Sequence, residues 1–107
     1  MALLPDALKA QLPRLYGQEK NPDPIVYAKF FAPNSNLTWF ITEGQQDEDD
    51  FLLFGYVISF AKEWGYISLN ELQAVRDPLG LPIERDLYFQ PGPFSEVLAR
   101  FRSERGE

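Results

Sequence analysis

A run of ten residues free of charge, FLLFGYVISF at positions 51–60, constrains this chain more than any other stretch. As a strand it carries Phe51, Leu53, Gly55, Val57 and Ser59 on one face and Leu52, Phe54, Tyr56, Ile58 and Phe60 on the other. Both faces are largely apolar. A strand with one wet face alternates polar and apolar residues, so this run is expected to be the central strand of a sheet covered on both sides. The 107 residues leave room for one domain, spanning 1–107. Such a chain buries around 65% of its unfolded surface.

The neighbouring segments supply strands to pair with it. IVYAKFF (25–31) and LTWFITE (37–43) are rich in β-branched and aromatic residues, and Pro33, Asn34, Ser35 and Asn36 between them form a turn, which predicts an antiparallel hairpin. A loop at 44–50 then leads into the central strand, giving a meander. A brief fourth strand is expected near Tyr66 and Ile67, after a connection holding Lys62, Glu63 and Gly65, and 86–89 is a candidate edge strand. Trp39 and Phe40 point to opposite faces, so one is expected in the core and the other partly exposed.

Helices are expected near both termini and after Ser68. Pro5 suits the first position of a short helix that Pro13 ends. The spacing of Ser68 and Glu71 is that of a capping box, predicting a helix over 69–76. Pro93 opens the last helix, to about Ser103, in which Phe94, Val97, Leu98 and Phe101 share one face. The predicted fold is α+β, an antiparallel four- or five-stranded meander sheet with a short N-terminal helix, a short helix after Ser68 and a C-terminal helix.

Composition narrows the chemistry. The chain has no Cys and no His, which removes thiolate nucleophiles, the commonest general base and the usual transition-metal ligands. No catalytic residue, metal site or cofactor is expected. The net charge of −6 is concentrated at 41–72, where seven acids face one base, Lys62. Affinity for nucleic acid rests on Lys and Arg neutralising phosphates, so direct nucleic-acid binding is not expected. Neither is membrane insertion, because no apolar run approaches the roughly 20 residues of a spanning helix. The opening MALLPDALKA lacks the basic start of a secretory signal, which leads to an expectation of a cytoplasmic protein.

Two groups of residues are candidates for function. Glu43, Asp47, Glu48, Asp49 and Asp50 lie between two predicted strands and form a candidate protein-binding surface, since like charges on a short connection stay solvated and attract a basic partner. Glu84, Arg85 and Asp86 follow a proline-rich loop, either lining a pocket or holding the loop through an Arg–carboxylate pair.

The strings DPIVYAKFFAP (23–33), WFITE (39–43), FGYV (54–57), GYISLNEL (65–72) and GLPIERDLYF (80–89) resemble, in the same order, a family of small bacterial proteins known as a domain of unknown function. The resemblance implies an accessory protein encoded on plasmids and integrative elements. It brings no activity, substrate or cofactor. The expected function is therefore a non-enzymatic, acidic accessory protein that binds a protein partner. The alternative is a small enzyme or ligand-binding domain built on carboxylates, Tyr and Arg near the 77–86 loop.

Overall fold

The computed structural model describes residues 2–107. The helices are α1 (Asp6–Lys9), α2 (Leu69–Ala74) and α3 (Phe94–Glu104). The strands are β1 (Ile25–Val26), β2 (Ala28–Phe31), β3 (Thr38–Asp47), β4 (Asp50–Ile58), β5 (Lys62–Ser68), β6 (Glu84–Arg85) and β7 (Gly92–Pro93). Five of the strands form one antiparallel sheet in the order β5-β4-β3-β2-β6, and β1 pairs with β7 in a separate two-stranded ribbon. The α+β meander is as expected, with β6 closing the side opposite β5.

The apolar run 51–60 does lie inside the sheet, with β3 and β5 on its two sides. It is not the middle strand. That place belongs to β3, whose residues from Thr38 to Gly44 are all buried. The strand also stops at Ile58, where Ser59 and Ala61 close a tight turn by an N–H to carbonyl bond of 2.9 Å and leave Phe60 fully in solvent. Trp39 and Phe40 are both buried, contrary to expectation, because each face of β3 has its own cover.

One face of the sheet presents Ala28, Phe30, Trp39, Ile41 and Leu53, packed beneath Leu3, Leu4, Leu12 and the Leu69 and Leu72 side chains of α2. The other presents Phe40 and Ile58, which pack with Val26 and with Val97 of α3. The edge of Phe40 meets the Phe101 ring at a centroid distance of 5.4 Å. Helix α3 carries no cap of its own, since Pro93 has no donor or acceptor side chain to offer. Asp23 caps it from 72 residues away, accepting the Ser95 N–H (2.8 Å) and hydroxyl (2.6 Å). These bonds, the hydroxyl first, hold the Asp23 carboxyl below its usual range.

Other strand boundaries also differ from expectation, each for a local reason. β5 begins at Lys62, so the predicted connection with Lys62, Glu63 and Gly65 is strand. A sheet edge tolerates charges and glycine that a central strand does not. The edge contribution beyond Pro82 is Glu84–Arg85 rather than 86–89, because Asp86 and Tyr88 fold into a turn in which the Asp86 carboxylate accepts the Tyr88 N–H. The strand at 25–31 is interrupted at Tyr27, whose N–H still donates to the Ile41 carbonyl.

The β3–β4 pairing holds the feature that shapes the site. Ile41 opposes Gly55, yet Glu43 opposes Phe54, so Thr42 is one residue too many and forms a β-bulge. Without it Glu43 would share the face of Ile41 and point into the apolar core. With it, Glu43 joins Phe54 and Phe40 on the other face. Gly55 is what lets β3 come close at this point, because a Cβ there would stand 2.1 Å from the Phe40 carbonyl oxygen.

Candidate functional site

The turned Glu43 lies at a cleft of about 400 Å³ between the segment 16–24 and strands β3, β4 and β5. Glu43 is 5% exposed, and its two oxygens accept the backbone N–H groups of Tyr16 (2.8 Å) and Gln18 (2.9 Å). Tyr16 takes a φ of 69°, a left-handed conformation rare for a bulky residue, which the carboxylate holds in place. Gln18 fixes the rest of the segment, donating from Nε2 to the carbonyls of Ile25 (2.9 Å) and Thr42 (2.8 Å) and accepting the Ile25 N–H at 2.7 Å.

Aromatic rings form the walls. Phe54 stacks on Trp64 with centroids 5.9 Å apart and meets Tyr66 edge-on at 5.1 Å. The Tyr66 hydroxyl bonds that of Tyr16 at 2.9 Å, joining β5 to the loop across the opening. That bond first, and then burial and the negative fields of Tyr16, Glu43 and Glu19, raise the Tyr66 hydroxyl above its ordinary value. All three outer rings remain wet, with Tyr16 at 62%, Trp64 at 38% and Tyr66 at 53% exposure. Among the described residues lining the cleft there are two carboxylates, Glu19 and Glu43, and no Lys or Arg. Among the described ion pairs none includes Glu43. A buried carboxylate satisfied only by backbone N–H groups, under aromatic faces, suits a cationic group, which the ring quadrupoles also attract.

The five acids Glu43, Asp47, Glu48, Asp49 and Asp50 do not form one surface. The predicted loop at 44–50 is mostly strand, and β3 and β4 are joined by a two-residue turn of Glu48 and Asp49, with Glu48 at a φ of 55°. Asp47, Glu48 and Asp49 are exposed at this tip. Asp50 turns back into the structure: its Oδ2 accepts the Ser68 hydroxyl (2.5 Å), and its Oδ1 accepts the N–H groups of Phe51 (2.7 Å) and Asn70 (3.0 Å). The Ser68 bond, followed by that of Asn70, holds the Asp50 carboxyl below its usual range. Ser68 in turn accepts the Glu71 N–H at 3.1 Å, so the serine half of the expected capping box is present, with Asp50 rather than the Glu71 carboxylate behind it.

Glu84, Arg85 and Asp86 are spread over different surroundings. Glu84 and Arg85 pair with Phe31 and Phe30 of β2, while Asp86 approaches the Lys29 ammonium at 3.6 Å. The loop before them is braced by Asp77, which is 8% exposed. Burial pushes the Asp77 carboxyl up, but the N–H groups of Leu81 and Leu79 and the side chain and N–H of Asn34 outweigh it and leave the value lowered.

Sequence reasoning did not anticipate Tyr16, Gln18, Trp64 or Tyr66 as partners of Glu43. The one available signal was an acid, Glu43, ending an otherwise uncharged strand. Among the described residues, no cluster of three or more acids is placed to hold a metal ion. Nor is any described helix long and apolar enough to cross a membrane. No curated protein and no solved structure matches the chain. Residues 3–105 match the family described as a protein of unknown function, DUF2958. The match covers nearly the whole chain, and this protein belongs to that family.

Proposed function

We propose that this protein is a non-enzymatic binding module that engages a basic segment of a protein partner, a Lys or Arg side chain of which enters the Glu43 cleft. The observation that carries the reading is the combination of four aromatic residues and two carboxylates with no cation in one cleft. Aromatic faces and a desolvated carboxylate each favour an ammonium or guanidinium, and together they exclude an anionic ligand. Asp47, Glu48 and Asp49 at the hairpin tip steer the partner's approach without being buried by it. An accessory role on plasmids or integrative elements, directed at a basic protein of the host or the element, accords with this chemistry.

The test uses a lysine-rich peptide and the same peptide acetylated on every lysine, followed through the indole N–H of Trp64 by NMR. The unmodified peptide is expected to shift that signal and the acetylated one is not. Neutralising the tip as Asp47→Asn, Glu48→Gln and Asp49→Asn is expected to slow association several-fold at low salt and to change it little at high salt, where screening acts beyond about 3–8 Å. Equal responses to the two peptides, or none to either, would remove the cationic reading.

A further inference from the structure

The outer edge of β5 is unguarded. Sheet edges are commonly kept short, or carry prolines, bulges or well-placed lysines that stop another chain from pairing. The opposite edge follows that rule, since β6 has two residues. β5 has seven, contains no proline, and pairs with β4 in an unbroken register from Lys62–Ile58 to Ser68–Leu52. Its one lysine, Lys62, stands at the end of the strand. Among the described residues, no backbone hydrogen bond joins 62–66 to any segment but β4, so every second N–H and C=O there is left without a backbone partner.

The two faces of this edge differ. Trp64 and Tyr66, opposite Tyr56 and Phe54, lie on the cleft face and stand 38% and 53% exposed. The negative fields of Glu43 and Glu19 reach the Tyr66 hydroxyl. On the other face Gly65 opposes Gly55 and has nothing within 4 Å of where its Cβ would stand, with Glu63 and Ile67 on either side. A strand laid along β5 would set two alternate residues against the aromatic rings and the one between them over the bare glycines. Rings in a negative field select cations, and a bare glycine on a sheet edge is well covered by an aromatic ring.

A second copy of this chain fits the edge poorly. Each copy carries a charge of −6. Antiparallel self-pairing keeps the faces of the two copies in common, so Lys62 and Glu63, on opposite faces, never come opposite each other.

We infer that the β5 edge takes up an extended segment of a protein partner as an added strand, with Lys or Arg at two alternate positions opposite Trp64 and Tyr66 and an aromatic residue between them over Gly65. The inference goes beyond the Glu43 cleft, because three strand spacings, about 14 Å, separate an added strand from β3, farther than one lysine side chain reaches.

The experiment titrates the full chain with the peptide TVKFKVT, blocked at both ends, and follows the backbone amides by ¹⁵N NMR and hydrogen exchange. Exchange is expected to slow at alternate residues of β5. Two further peptides carry N-methyl groups on the backbone nitrogens of both lysines, or of the phenylalanine and the second valine. One of these pairs faces β5 and the other faces away, so one peptide should bind at least about 10-fold more weakly and the other as the parent does. The isomer TVKKFVT, whose lysines fall on opposite faces, should bind about 2- to 5-fold more weakly. Unprotected β5 amides, equal affinities for the two methylated peptides, or no preference over the isomer would overturn the assignment, as would β5 amides already protected by dimerisation without peptide. A lysine-dependent shift of the Trp64 indole with no protection of β5 would overturn it and leave the cleft reading standing.

Discussion

Replacing Glu43 by Gln tests the heart of the cleft with the smallest possible change of shape. The carboxylate now accepts two backbone N–H groups, at 2.8 and 2.9 Å. A carboxamide keeps one acceptor oxygen but turns an NH₂ toward the second N–H, so two donors face each other in a position only 5% exposed. One charge-assisted bond is then lost and the other becomes a neutral one, while a donor is left buried without a partner. Charged bonds contribute about 1.5–3 kcal/mol and an orphaned donor costs about 1–3 kcal/mol, so with partial relaxation the variant should lose about 3 kcal/mol. For a domain of this size that lowers the melting temperature by roughly 10–20 °C. Because Glu43 holds Tyr16 at its left-handed φ, the hydroxyl contact between Tyr16 and Tyr66 should be lost as well. Chemical denaturation followed by circular dichroism gives the energy, and ring-to-ring NOEs between Tyr16 and Tyr66 report the loop. A Glu43→Gln protein within 0.5 kcal/mol of wild type, a margin typical of surface substitutions, would show that Glu43 does not hold the loop.

Gly55→Ala should be more damaging, since its Cβ would meet the Phe40 carbonyl oxygen at 2.1 Å, and backbone cannot move aside as a side chain does. A loss of at least about 3 kcal/mol is expected, seen as a large fall in denaturation midpoint or as insoluble protein. Ser68→Ala removes the cap of α2 and the hydroxyl held by Asp50, and should cost about 1–2 kcal/mol in the same assay. Asp50 and Asp77 are more acidic in the fold than their reference value of 3.8, so the folded state favours their ionised forms. Their contribution is complete above that value and is lost as pH falls through the lower folded values. Melting temperature should therefore be insensitive to these groups above pH 5 and fall below pH 4, with a shallower fall in Asp77→Asn.

The fold was legible where burial is dictated by continuous apolar pattern. The strands around Phe30, Phe40 and Leu53, the cap at Ser68 and the apolar face of the last helix all follow from local residue chemistry. Centrality was not legible, because β3 and β4 are both apolar on two faces and only pairing decides which lies in the middle. β5 was foreshortened because Lys62, Glu63 and Gly65 are equally at home in a turn and on an open edge. The cleft was hidden for a deeper reason. Glu43 reads as one more acid of a charged stretch until the pairing of Phe54 shows that an extra residue has rotated it inward, and pairing is a long-range property. Asp50 was misplaced for a similar reason, since its partners Ser68 and Asn70 come from a strand and helix later in the chain.

The bulge at Thr42 means that the site is encoded by a count as well as by residue types. Removing Thr42 would place Glu43 directly after Ile41, so simple alternation alone would keep it opposite Phe54, whereas pairing Thr42 as a regular strand residue would swing Glu43 toward Leu53 and Trp39. A relative with one residue fewer between the counterparts of Phe40 and Glu43 would reach the same facing without a bulge, but would lack the Thr42 carbonyl to which Gln18 donates at 2.8 Å. Members able to present this carboxylate are then those in which count and bulge agree, since two residues between these counterparts require a bulge and one requires none.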